Sequence, residues 1–183
     1  RGLMGTTALY TLLYCILHIP LGTAMTYNLT SALFIAIFSF LLFREYHGRI
    51  VLIAVLLGFF GMLLIYKPAM HFPWYYHVAG LISGITSALA YITVNRLAGH
   101  YDSRIIVLSF IGTGVLVPSV FMLIRYAADL PPDDVFFINW RWPVGIEWFY
   151  VMWLGLAALF GQYFVTKAYG ADKAGIVSAI GYA

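Results

Sequence analysis

The segment from residue 2 to residue 43 contains 42 consecutive residues without a charged side chain. A membrane-spanning helix needs about 20 predominantly apolar residues, so this segment is too long for one crossing and long enough for two. Pro20 and Gly22 lie near its middle, and proline cannot continue a helix while glycine frees the backbone. We therefore predict two spanning helices joined by a turn at 19–22.

The rest of the chain has the same character. Hydrophobic residues make up 63% of the 183 residues and charged residues only 9%, whereas a soluble domain carries about 25% charged residues. Apolar runs such as 33–38 do not alternate with polar residues, which excludes the strands of a membrane barrel. The fold class is therefore predicted to be all-α, a polytopic transmembrane helix bundle. The predicted spans are 2–19, 22–43, 50–66, 76–95, 105–124 and 148–168, with a seventh helix beginning at 174. We expect a fragment of a longer protein, because the chain opens at Arg1 and stops within an apolar run.

The basic residues are distributed unequally between the two sides that this order of helices defines. Lysine and arginine number seven on the side of loops 44–49, 97–104 and 169–173, and three on the other side. Cytoplasmic loops carry the excess of Lys and Arg, so we expect these three loops to lie in the cytoplasm. The opposite side contains the one long connection, 126–146, which we expect to be a solvated loop; a lid over an outer entrance is the alternative.

Two helix-turn-helix segments are oriented oppositely in the membrane. The turn near Leu21–Ala24 is predicted on the outer side, and the similar turn at Ala171–Ala174 follows 150 residues later on the inner side. Repeats of opposite orientation are typical of secondary transporters, in which the substrate site lies near the midplane between them.

At residue level the chain resembles the EamA-like transporters of the drug/metabolite transporter superfamily. The matching motifs are Phe40–Glu45 at the end of one helix, Gly58–Leu64 in the next, and the run from Gly161 through Tyr169 to Ser178. The resemblance implies a ten-helix protein made of two inverted five-helix repeats, of which this chain holds about six complete helices and one partial helix. It divides the chain into the latter part of the first repeat, 1–68, and a truncated second repeat, 69–183. Ala32 stands where the family often has a proline, so we do not expect a kink there.

Polar side chains recur at helical spacing within three predicted spans, and polar groups at bilayer depth usually face a bundle interior or a cavity. We select six of them as candidate solute-binding residues: Tyr27, Asn28, Ser31, Ser87, Tyr91 and Gln162. A structural role is the alternative for each of them. Gly80 and Gly84 have the small-residue spacing that lets two helices approach closely, so we favour a packing role there.

The predicted function is transport of a small solute by alternating access, and the resemblance implies export of metabolites, amino acids or drugs across a bacterial inner membrane. We expect no enzymatic activity, cofactor, metal site or nucleic-acid partner, because the sequence has no phosphate-binding loop, no paired histidines and a net charge of only +3. The bilayer and a small-molecule solute are the expected partners, and a homo-oligomer is left open. One alternative is a membrane enzyme acting on lipid-linked substrates, for which His100–Arg104 is the candidate cluster. A seven-helix receptor with a chromophore on Lys167 is the other.

Overall fold

The computed structural model describes residues 1–43, 49–67, 71–129, 131 and 141–181. These residues contain no strand and form eight helices: α1 (Gly2–His18), α2 (Leu21–Leu29), α3 (Ser31–Phe43), α4 (Arg49–Tyr66), α5 (Trp74–Leu97), α6 (Ser103–Ala128), α7 (Glu147–Ala171) and α8 (Ala174–Ile180). Every predicted span is confirmed as helical, with ends that agree to within four residues. Residues 44–48 of the predicted cytoplasmic loop 44–49 and about half of the long connection 126–146 lie outside the described residues.

The helices have the length and hydropathy expected of an integral membrane protein. Four segments are long and apolar enough to cross a membrane, namely Leu21–Leu42, α5, α6 and α7, and two shorter apolar helices lie at Gly2–His18 and Ile50–Leu64. Large apolar side chains on α6 and α7, including Leu108, Leu123, Phe149 and Trp153, are exposed. Such exposure is favourable in lipid and unfavourable in water.

Helix α5 is the centre of the bundle. It packs against α1, α2, α3 and α7, and it is the most buried of the four long spans, whereas α7 is the least buried. One apolar cluster joins the later part of α5 to α3 and α8 around Ile35, Ile92 and Ala174. A second joins α1 and α2 around Cys15, Ile19 and Ala24. These clusters hold four helices, α1, α2, α3 and α8, in position around α5.

The absence of side chains at Gly80 and Gly84 lets α5 approach α2 closely. A Cβ atom at Gly84 would lie 2.7 Å from the carbonyl oxygen of Tyr27 and 2.6 Å from Thr30 Oγ1. A Cβ atom at Gly80 would overlap the Tyr27 ring. The predicted packing role of these two glycines is thus confirmed, and any larger residue would separate the helices.

The predicted helix 22–43 is interrupted at Thr30, between α2 and α3. The Thr30 hydroxyl donates a hydrogen bond of 2.5 Å to the Tyr27 carbonyl oxygen, and the Thr30 N–H is shared between the carbonyl oxygens of Thr26 and Tyr27. A threonine hydroxyl that binds a preceding carbonyl in this way commonly disturbs a helix. The interruption therefore lies two residues before Ala32. It coincides with the hydrogen bond of the Thr30 side chain and not with a proline.

Candidate functional site

A polar cavity of about 150 Å³ lies where five helices meet. It is lined by Arg1, Gly5, Ala8, Leu9, Leu12, Asn28, Ser87, Ala90, Tyr91, Phe110 and Gln162. Counting along the helices at 1.5 Å per residue places Ser87 and Gln162 roughly 14–22 Å from either end of α5 and α7. The cavity therefore lies within the middle part of α5 and α7. Polar side chains at such a depth are costly and usually face a cavity or a partner.

Among the described residues that line this cavity, Arg1 is the only one with a cationic side chain. Its Nη2 donates a hydrogen bond of 2.7 Å to Gln162 Oε1, across 161 positions of sequence. Its guanidinium carbon lies 4.4 Å from the ring centroid of Phe110 and 5.8 Å from that of Tyr91. Both rings lie within the distance at which an aromatic face attracts a cation. Arg1 thus links α1 to α5, α6 and α7.

Three polar groups at this cavity have no partner within the described part of the chain. Arg1 Nε is buried and makes no hydrogen bond, and no hydrogen bond within the described residues involves the side chain of Asn28 or Ser87. Ser87 is nevertheless buried, and Asn28 is half-buried. Buried polar groups are nearly always satisfied by protein, water or ligand. The cavity therefore offers an amide, a hydroxyl and a guanidinium N–H to whatever occupies it.

Tyr91 separates this cavity from a larger one. Its ring stacks on Tyr169 of α7, with centroids 4.7 Å apart and planes 11° from parallel. On the other side of Tyr91 is an apolar space of about 510 Å³, lined also by Val165, Asp172 and Ile180 from α7, α8 and the turn between them. The stacked pair is thus a partition between a small polar cavity and a wider apolar one.

The structure brings together four of the six predicted site residues: Asn28, Ser87, Tyr91 and Gln162. Tyr27 and Ser31 do not line the cavity. The Tyr27 hydroxyl is 2.6 Å from His77 Nδ1, and its ring covers Gly80; Ser31 is half-buried at the first position of α3. Adjacent positions on one helix point in different directions, so Tyr27 turns to α5 while Asn28 faces the cavity.

Three polar residues outside the cavity, Asn95, Asp102 and Lys167, have contacts within the bundle or its turns. Asn95 Nδ2 donates hydrogen bonds to the carbonyl oxygens of Tyr169 (2.6 Å) and Asp172 (2.8 Å), which fastens α5 to the turn before α8. Asp102 accepts a hydrogen bond of 2.8 Å from the N–H of Arg104 and caps α6. The His100–Arg104 cluster thus contains a helix cap. Lys167 is exposed and lies 5.1 Å from the ring centroid of Tyr163.

Among the cavity residues that sequence reasoning missed are Arg1 and Phe110, the cation and the ring that lie 4.4 Å apart. The sequence analysis places Arg1 among the seven basic residues on the cytoplasmic side. In sequence, a charged residue next to an apolar run has the same pattern whether its side chain faces water or a cavity. Phe110 is one of 14 phenylalanines, and nothing in its neighbourhood marks it out. The amide of Gln162 on α7 was the available signal, because it implied a polar partner inside the bundle.

Curated relatives cover the whole of this chain. It is 31% identical over 183 residues to the pseudopaline exporter CntI of Pseudomonas aeruginosa, covering 60% of that protein. It is 30% identical over 185 residues to an uncharacterized transporter of Helicobacter pylori, covering 59% of it. Against human solute carrier family 35 member G1, identity is 24% over 192 residues, or 97% of this chain and 49% of the relative. The chain thus spans about three fifths of the length of the first two of these relatives. Neither a family model nor a solved structure matches it.

Proposed function

We propose that the protein is a membrane transporter that exports a small solute through the cavity described above. The observation that carries the proposal is the meeting of polar groups from separate helices at mid-depth in an apolar bundle. The names of the relatives, two of which are transporters and one a solute carrier, agree with it. The cavity is smaller than the 300–1,000 Å³ of a typical drug-sized site, so a small metabolite or amino acid fits it better than a bulky drug.

The division of the cavity lining between the two proposed repeats supports a mechanism of alternating access. The proposed first repeat, 1–68, contributes Arg1 and Asn28, whereas the proposed second repeat, 69–183, contributes Ser87, Tyr91 and Gln162. If the two repeats rock against each other, the cavity opens to one side and then to the other. In such a mechanism the solute is held by groups from both repeats, and its release follows from their separation.

The proposal includes membership of the drug/metabolite transporter superfamily, of the EamA-like type, and a location in a bacterial inner membrane with loops 44–49, 97–104 and 169–173 in the cytoplasm. Membership of the family is supported by the motifs that begin at Phe40 and Gly161. The cytoplasmic location of the three loops is supported by the excess of basic residues on their side of the membrane. Transport by cavity and helix movement needs no catalytic group, so we infer that the protein is not an enzyme.

The test uses vesicles that contain the complete protein and a panel of small metabolites on either side. We expect counterflow of at least one solute, with a changed KM after Asn28→Ala or Ser87→Ala. Ser119→Ala is the matched control, because Ser119 is an exposed serine that bonds only to the carbonyl oxygen of Val115 on its own helix. Absence of counterflow for every solute, or equal effects of Ser87→Ala and Ser119→Ala, would overturn the assignment of this cavity.

Membrane topology is tested separately by labelling single cysteines. Cys15 is the one cysteine of these 183 residues and is buried, so the background carries Cys15→Ala and alanine at any cysteine elsewhere in the complete protein. His100→Cys lies in the turn before α6 and Asp129→Cys follows its end, and both native residues are exposed. An impermeant reagent added outside should label Asp129→Cys and not His100→Cys. Labelling of both from one side would contradict the inverted arrangement.

A further inference from the structure

Arg1, at the start of α1, places a positive charge at the polar cavity between the helices. No salt bridge joins it to a carboxylate among the residues that the structure describes. An arginine at membrane depth is expensive, and it is usually paired or turned to a water-filled space. Here it faces a cavity, and aromatic rings and one neutral amide are what surround it.

Not every hydrogen-bond donor of the Arg1 side chain has an acceptor. A guanidinium carries five N–H donors in a planar fork that matches the two oxygens of a carboxylate. Gln162 Oε1 occupies one of these donors through Nη2, and the buried Nε has no acceptor. Nε and one Nη together form an edge of the fork that binds a carboxylate in two-point fashion. The unoccupied Nε donor can therefore take part in a two-point bond to an anion with paired oxygens.

The Gln162 amide has the properties of a substitute for such an anion. It is half-buried, and its oxygen supplies partial negative charge at 2.7 Å from the guanidinium. A carboxylate forms a stronger, charge-assisted bond than a neutral amide does. An arriving carboxylate would therefore displace Gln162 from Arg1, while Asn28 and Ser87 remain available to polar groups on the rest of the solute.

We propose that the transported solute carries a carboxylate, that Arg1 binds it, and that Gln162 holds the guanidinium in place when the cavity is empty. This inference rests on the proposed function, because it names the class of solute for the same cavity. Gln162 acts as a positioning residue, and its bond to Arg1 joins the two proposed repeats only until the solute arrives.

Binding is measured as thermal stabilisation of the complete purified protein in phosphatidylcholine nanodiscs. The probes are pairs of equal shape and different charge: acetate and acetamide, benzoate and benzamide, succinate and succinamide. A ligand that binds only the folded protein raises the unfolding midpoint in proportion to its occupancy. We expect at least one carboxylate to stabilise the protein and its amide to have no effect.

Variants distinguish binding by Arg1 from a structural role. Arg1→Gln should weaken carboxylate binding roughly ten- to hundredfold, the range for a hydrogen bond to a charged group, and Arg1→Lys should retain part of it. Gln162→Leu should tighten binding by removing the competing acceptor. Arg104→Gln, which removes an exposed cation at the start of α6, is the control and should change nothing.

Equal stabilisation by carboxylates and amides, unchanged binding in Arg1→Gln, or weaker binding in Gln162→Leu would overturn the inference. So would stabilisation by added phosphatidylglycerol with none by any carboxylate, because a lipid phosphate would then be the ligand of Arg1. Counterflow of neutral solutes alone would refute the inference and leave the transport function intact. Carboxylate binding without counterflow of any solute would refute transport and leave only the assignment of Arg1 as a carboxylate-binding residue standing.

Discussion

Replacement of Gly84 by alanine tests whether the close contact of α5 with α2 supports the whole arrangement. The added methyl group would lie 2.7 Å from the Tyr27 carbonyl oxygen and 2.6 Å from Thr30 Oγ1. Optimal separation between nonbonded heavy atoms is about 3.5 Å or more, so both contacts are short by roughly 0.8 Å. The Tyr27 oxygen belongs to the backbone and cannot rotate away, so the helices themselves must separate.

The expected cost follows from two opposing effects. Overpacking of a close contact costs about 1–3 kcal/mol, whereas alanine is preferred to glycine in a helix by up to about 1 kcal/mol. We therefore expect a net loss of about 1–2 kcal/mol in the free energy of unfolding. It is measured as the shift in the midpoint of reversible denaturation of the complete protein by sodium dodecyl sulfate in mixed micelles.

Gly112 in α6 provides the matched control, because a Cβ atom there would meet nothing within 4 Å. Gly112→Ala should leave stability unchanged or raise it slightly. Thr30→Ala combined with Gly84→Ala should recover part of the loss, because it removes one of the two short contacts and leaves the other. A Gly84→Ala variant as stable as Gly112→Ala would refute the argument that α5 and α2 touch at backbone distance.

Three further perturbations have defined outcomes. Asn95→Ala should destabilise the protein by about 0.6–1.7 kcal/mol, the range for hydrogen bonds between membrane helices. Solute preference in counterflow should be unchanged, and a changed preference would contradict the purely structural role of Asn95. Tyr27→Phe and His77→Phe should each be destabilising, and a double-mutant cycle should give a coupling of about 0.6 kcal/mol or more; additive effects would deny the hydroxyl–imidazole bond. Asp102→Ala should cost about 0.5–2 kcal/mol by loss of the helix cap and leave counterflow intact, whereas loss of a lipid-modifying activity would favour the membrane-enzyme alternative.

The helices were predictable because the membrane imposes a simple rule. A charged residue is costly at the centre of a span, so the charge-free intervals locate the helices without any knowledge of their contacts. Gly80 and Gly84 were also predictable as packing sites, because small residues at this spacing have few other uses in an apolar helix. Both predictions depend on local sequence alone.

The cavity was predicted only in part, because its geometry depends on how helices rotate against each other. Asn28 and Gln162 were found because an amide within an apolar run requires a partner. Tyr27 looked equivalent to Asn28 in sequence, but its ring packs on Gly80 and its hydroxyl bonds to His77. The interruption at Thr30 depends on a hydrogen bond from the Thr30 hydroxyl to the Tyr27 carbonyl oxygen. Threonine forms such a bond in some helices and not in others, so the sequence alone does not predict it. Solute-binding roles for all six residues remain predictions.

The stacked rings of Tyr91 and Tyr169 lie beside the route that a solute of the proposed transporter would take from the polar cavity toward α8. Tyr91 borders both spaces, so rotation of this one side chain would merge them into a continuous passage toward α8. The same ring lies beside the Arg1 guanidinium, and a ligand that draws this cation away removes an attraction that holds the ring in place. In the proposed mechanism, binding of a solute at Arg1 and movement of the Tyr91 ring would therefore be coupled.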